Sequence, residues 1–133
     1  MIRLAAVCGA VAVVTGAFGA HTLKDVFDRN QLDTGRLLDI YEKGVHYHFF
    51  HALALALTGL LAFNMPESKW LPRAGWLFFA GILLFSGSLY VLACRDLIPF
   101  SVMWIGPVTP LGGLCFIAGW LSLLFATREG GQV

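Results

Sequence analysis

Four stretches of the chain contain no Asp, Glu, Lys or Arg, and they decide what it can fold into. They run Leu4–Leu23, Gly44–Pro66, Ala74–Cys94 and Leu97–Thr127, and are 20, 23, 21 and 31 residues long. A helix rises about 1.5 Å per residue, so about 20 apolar residues cross a hydrocarbon core about 30 Å thick. Pro99, Pro107 and Pro110 interrupt the first part of the longest stretch and leave a span near Leu111–Phe125. Little is left of the 133 residues for a soluble domain. The chain therefore reads as all-α and polytopic, a bundle of four transmembrane helices. Their expected positions are about 4–22, 44–63, 74–94 and 108–126, with a charged connector at 24–43, in one membrane domain covering 1–133. Composition agrees, because only 13% of residues are charged against roughly 25% in a soluble domain.

Arg3 followed by an apolar run imitates a signal peptide. Ala17-Phe18-Gly19-Ala20 is only a fair cleavage site, and Val7 is too bulky for a lipoprotein signal ending at Cys8. An uncleaved first helix is the reading. Cys8, Cys94 and Cys115 show no ligand spacing and each lies in or at the end of an apolar helix, so they read as small buried thiols.

The segment Lys24–Lys43 holds four Lys/Arg and five Asp/Glu. Leu23, Val26 and Phe27 share a face, so the first helix can continue to about Arg29, with a turn at Gln31–Gly35. Asp33 or Thr34 can cap the next helix, and Asp39 stands four residues before Lys43 as a favourable helical pair. Trp70, in the short loop Phe63–Pro72, is an interfacial anchor by type, and Arg95–Gly106 forms a second connector. Arg3, Lys69, Arg73 and Arg128 fall on one side of the membrane, and Lys24, Arg29, Arg36, Lys43 and Arg95 on the other. Four cations against five barely bias the positive-inside rule, and the lean is towards a cytoplasmic Lys24–Lys43 segment.

Small residues mark where helices can meet. Ala5, Cys8, Ala12, Thr15, Gly16 and Gly19 fall in a stripe about 100° wide on the first helix. Gly81 with Ser88, and Gly112 with Gly119, are seven-residue pairs on the third and fourth helices. Such stripes let backbones approach closely in membranes. The first reading is packing inside one bundle. The second is a subunit interface, and four spans bury so little surface that a homo-oligomer is an expected partner beside the lipid bilayer.

Span counting also segregates the polar residues. His21 ends helix one; Tyr41, Glu42, His46, His48 and His51 begin helix two; Ser86, Ser88, Tyr90, Arg95 and Asp96 end helix three; Thr109 precedes helix four. All fall in one leaflet. The other leaflet is expected to hold little beyond Thr15, Thr58 and Ser122. Measured from Lys43, His46 lies about 4.5 Å deep and His51 about 12 Å deep, near the midplane. Helical phase puts His48 and His51 on one face, with His46 beside Glu42 on the other. His48 and His51 should face inward with His21 near them, while Glu42 can pair with His46 four residues on.

Three roles compete for this cluster. Metal or haem ligation would use neutral imidazoles, but no flanking carboxylates support it. Proton or small-solute translocation usually wants an intramembrane acid, and the four spans have none. The leading reading is a hydrogen-bonded His/Tyr/Ser network that sets helix register, because unpaired polar groups are costly in lipid. Pro107 and Pro110, with Gly112 and Gly113 behind them, suggest a kinked or re-entrant start to helix four. No nucleophile–base spacing or metalloprotease motif is present, so an enzyme comes last. No cofactor is required, a metal is undetermined, and nothing suggests nucleic acid as a partner.

The same segments carry a resemblance. Gly16-Ala17-Phe18-Gly19-Ala20-His21, Tyr47-His48-Phe49-Phe50-His51, Phe85-Ser86-Gly87-Ser88-Leu89-Tyr90 and Thr109-Pro110-Leu111-Gly112-Gly113 with Gly119-Trp120 resemble, in that order, the signature segments of one family. It is the uncharacterised bacterial inner-membrane family typified by YgdD, which has a eukaryotic transmembrane branch. The resemblance covers nearly the whole chain and implies a four-helix, multi-pass inner-membrane protein of unknown function. It carries no catalytic or ligand residues over to this chain.

Overall fold

The computed structural model describes residues 1–130, and among them there are helices, turns and no strand. Four helices are long and apolar enough to cross a membrane: α1 (Ile2–Arg29), α2 (Thr34–Asn64), α3 (Trp70–Ala93) and α4 (Val108–Gly130). Two are not regular throughout. α1 widens into a π-helical turn at Gly19–Leu23, and α3 does so at Ile82–Ser86.

The charged segment is almost entirely helical. α1 continues past its apolar run because Leu23 and Phe27 are buried against Leu37 and Tyr41 of α2, and Ala93 of α3 closes this small core. Only Asn30–Asp33 separates the two helices. Gln31 takes a positive φ of 54° there, and the Asn30 amide donates to the Val26 carbonyl at 2.8 Å. Asp33 then caps α2, its side chain accepting from the Arg36 N–H at 3.2 Å. The Thr34 hydroxyl donates to Asp28 at 2.6 Å and ties the two helix ends together. Lys43 and Asp39 form the i,i+4 ion pair at 2.6 Å. At 31 residues α2 is longer than a membrane is thick, so its charged first turns stand clear of the core.

The fourth helix does not re-enter. Pro107 precedes α4 and Pro110 sits in its first turn, where helical N–H groups have no intrahelical acceptor and proline costs nothing. Short 3₁₀ turns at Arg95–Leu97 and Met103–Ile105 occupy the connector before it.

α1 packs on α2, α2 on α3, and α3 on α4. Small residues face large ones at each seam. On α1, Ala5, Cys8, Ala12 and Gly19 are buried, and a Cβ at Gly19 would fall 2.6 Å from the Tyr41 ring. Gly16 is half-buried, with Val45 3.3 Å from where its Cβ would be. The small stripe is therefore occupied by α2 of the same chain. Between α3 and α4, Gly81 accommodates Phe116, Gly119 accommodates Phe78, and Gly112 meets the backbone of Phe85 itself.

Candidate functional site

The polar groups of the bundle divide into a buried set and an exposed set, and helix rotation makes the division. His48 and His51 are 5% and 7% exposed, because the α2 face that carries Gly44 and Thr58 turns towards α1, α3 and α4. His46 and Glu42 lie on the other face of α2 and are exposed.

His51 is fully engaged. Its Nδ1 lies 2.8 Å from the Tyr47 carbonyl, which only accepts, so Nδ1 carries the proton. Its Nε2 lies 3.4 Å from Trp120 Nε1, whose N–H only donates, so Nε2 is bare. This pair of partners specifies one neutral tautomer. The ring is stacked on Phe116, with centroids 3.4 Å apart and planes 11° from parallel, and Phe78 closes a second side at 5.8 Å. An imidazole in this aromatic cage ties α2 to α4 and leaves no nitrogen for a ligand.

His48 begins a chain of polar groups across three helices. Its Nδ1 is 3.1 Å from the Tyr90 hydroxyl of α3, which is 3.4 Å from the Thr15 hydroxyl of α1. Thr15 Oγ1 also lies 3.0 Å from the carbonyls of both Val11 and Ala12. In one arrangement His48 Nδ1–H donates to Tyr90, Tyr90 to Thr15, and Thr15 to its own helix. In the other His48 carries its proton on Nε2, and Tyr90 donates back to Nδ1. The Tyr41 hydroxyl donates to the Thr15 carbonyl at 3.0 Å, and the Tyr41 and Tyr90 rings lie 5.0 Å apart.

Ser88 and Thr109 bridge α3 to α4 at 2.7 Å. Ser88 donates to the Phe85 carbonyl, so Thr109 is the donor between the hydroxyls. Ser86 is wholly buried in the π turn of α3, and its hydroxyl has no partner among the described residues.

Three sequence expectations are corrected. His21 is exposed and joins neither His48 nor His51, because it lies on the π turn with its α1 neighbours Gly19 and Leu23, not itself, facing the bundle. Glu42 and His46 do not pair: the ion pairs among the described residues are Lys43–Asp39 and Arg95–Asp96. Thr15 belongs with the histidine network and not with the opposite leaflet, since Tyr41 and Tyr90 both reach it. Glu42 and His46 instead line an open groove of about 290 Å³ between α1 and α2, floored by Gly16, Gly19 and Ala20 and walled by Tyr41 and Val45. Among the described residues no group of three His, Cys, Asp or Glu is placed to hold a metal ion. Cys8 is buried, Cys94 and Cys115 are half-buried, and all three are free thiols.

The sequence offered no pointer to Trp120, Phe116 or Phe78 as partners of His51. Each is an aromatic residue in an apolar run, and only the rotation of its helix distinguishes a cage wall from a lipid-facing ring.

Comparison with known proteins agrees with this architecture. The profile of a family described as a protein of unknown function (DUF423) matches residues 15–113. A UPF0382 membrane protein of Staphylococcus epidermidis is 42% identical over 132 residues, covering 96% of this chain and 94% of its own. One of Staphylococcus haemolyticus is 39% identical over 130 residues, covering 95% and 93%. YwdK of Bacillus subtilis, also named a UPF0382 membrane protein, is 39% identical over 125 residues, covering 94% and 93%. No solved structure matches the chain. With its four apolar helices, the chain is thus a multi-pass protein of the cell membrane, and it belongs to the DUF423 family.

Proposed function

We propose that the protein is a non-enzymatic membrane component that works through helix packing and self-association, with its buried histidines serving as structure. The observation that carries this reading is the satisfaction of His51: one nitrogen donates to a carbonyl, the other accepts from an indole, and aromatic rings close its flanks. Interhelical polar bonds of this kind hold membrane helices in register. The resemblance to the family typified by YgdD fits the same reading and supplies no activity.

The test is the purified protein in a mild detergent, examined by metal analysis, absorption spectroscopy and light scattering. Neither a bound metal nor a haem band should be found, and the mass should correspond to more than one chain. Stoichiometric metal, a Soret band or a strictly monomeric particle would reject the proposal.

One observation favours a binding role instead. The groove beside Glu42 and His46 is open and polar at its rim. A small cationic solute held there should be detected by calorimetry and lost in Glu42→Gln.

A further inference from the structure

The membrane boundary where α3 begins and α4 ends carries a repeated pattern. Trp70 and Arg73 stand three residues apart in the first turn of α3, and Phe125 and Arg128 stand three apart in the last turns of α4. A spacing of three places each pair on one helix face. The Arg73 guanidinium lies over the Trp70 ring at 5.1 Å, and the Arg128 guanidinium over Phe125 at 6.0 Å. The two rings pack against each other across the helix seam, with centroids 5.0 Å apart. Two arginines from different helices are thereby held around one aromatic pair.

The frame beneath them is closely packed. Gly119 fits around Phe78, Gly81 around Phe116 and Gly112 against the Phe85 backbone, so α3 and α4 interlock along their length. Both guanidinium groups are exposed. Neither takes part in an ion pair among the described residues, where both pairs lie at the opposite end of the bundle.

Charge has the same asymmetry. At this end Arg3, Lys69, Arg73 and Arg128 are balanced only by Glu67 and Glu129. At the other end five cations meet six acidic residues. The surplus positive charge therefore sits on the boundary that holds the arginine–aromatic pair. Tryptophan at a helix end marks headgroup depth, and a planar guanidinium matches the oxygens of a phosphate.

We propose that Arg73 and Arg128 form a docking site for the phosphodiester headgroup of an anionic phospholipid, with Trp70 and Phe125 orienting the two guanidinium groups. A lipid rather than a free phosphate is the occupant because the site opens at headgroup depth beside the apolar surface of α3 and α4, where Trp76, Leu121 and Leu124 are exposed to receive acyl chains. The site stands apart from the histidine network, so it holds or fails independently of the role given to His48 and His51.

The experiment is native mass spectrometry of the full chain released from nanodiscs containing equal phosphatidylglycerol and phosphatidylcholine. Each surface arginine contributes about 1 kcal/mol towards anionic lipid, about fivefold, so two should give a preference of about 25-fold for phosphatidylglycerol. Arg73→Gln with Arg128→Gln should reduce the preference to near unity, each single change should reduce it about fivefold, and Arg36→Gln at the far end should leave it intact. If the double variant does not fold, Arg73→Lys with Arg128→Lys keeps the charge and should retain part of the preference. Equal retention of both lipids by the unaltered protein overturns the proposal. So does displacement of the bound lipid by millimolar inorganic phosphate, which would make the site one for the free ion.

Discussion

His51 and Ser86 show opposite ways in which a polar side chain can sit inside a membrane helix bundle. His51 has two bonds and an aromatic cage, and Ser86 has burial without a bond. Their substitutions should therefore differ in sign. His51→Ala removes a packed ring and leaves the Trp120 N–H without its acceptor, and it should cost about 2–4 kcal/mol, as large-to-small changes in packed interiors do. Ser86→Ala removes an unpaired hydroxyl and should leave stability unchanged or raise it. Thermal unfolding of both variants in one detergent checks the pair, and a Ser86→Ala loss as large as that of His51→Ala would contradict the unpaired hydroxyl. Tyr90→Phe keeps the ring against Gly44 but removes the hydroxyl between His48 and Thr15. It should cost about 1 kcal/mol, and nothing further in a His48→Leu background.

At the scale of elements, the glycines separate by what stands opposite them. Gly112 meets backbone, which cannot move aside as a side chain can, so Gly112→Ala must push α3 and α4 apart. Gly9 has nothing within 4 Å of its would-be Cβ. There alanine should stabilise by about 0.5–1 kcal/mol through the entropy that glycine loses in a helix. Chemical or thermal unfolding that ranks Gly112→Ala no worse than Gly9→Ala would refute the close seam. Gly16→Leu should weaken the α1–α2 contact, since Val45 already lies 3.3 Å from the first carbon added. At the start of α2, Asp33→Ala removes a helix cap and should cost about 1 kcal/mol, read by the same melt.

Four crossings place both ends of the chain on one face of the membrane. Reporter fusions at Met1 and at Val133 should therefore give the same topology signal, and opposite signals would mean that one helix does not cross. The orientation itself turns on charge. Lys and Arg counts are nearly equal on the two sides, whereas six acidic residues lie at the end with Lys24–Lys43 and only Glu67 and Glu129 at the boundary with Arg73 and Arg128. The small stripe of α1 is spent on α2, so any self-association must use another surface. The exposed apolar faces of α2 and α4 remain open to it, and cysteine cross-linking from positions 57 and 117 should distinguish them from the stripe.

The sequence by itself determined the four crossings and the side on which polar residues gather. Both depend only on counting: a charge-free run of sufficient length must span, and successive spans alternate direction. It also determined the Asp39–Lys43 pair and narrowed the cap of α2 to Asp33 or Thr34, since such local bonds depend on spacing along one helix. Burial of His48 and His51 together followed from helical phase for the same reason. The tertiary structure alone decided which helix met which face. A π turn at Gly19–Leu23 leaves His21 exposed, the rotation of α4 brings Trp120 and Phe116 to His51, and the pitch of α1 brings Thr15 to Tyr90. These contacts join residues far apart in the chain, and their geometry is set by how small and large side chains interlock between helices. No periodicity within one segment contains that information.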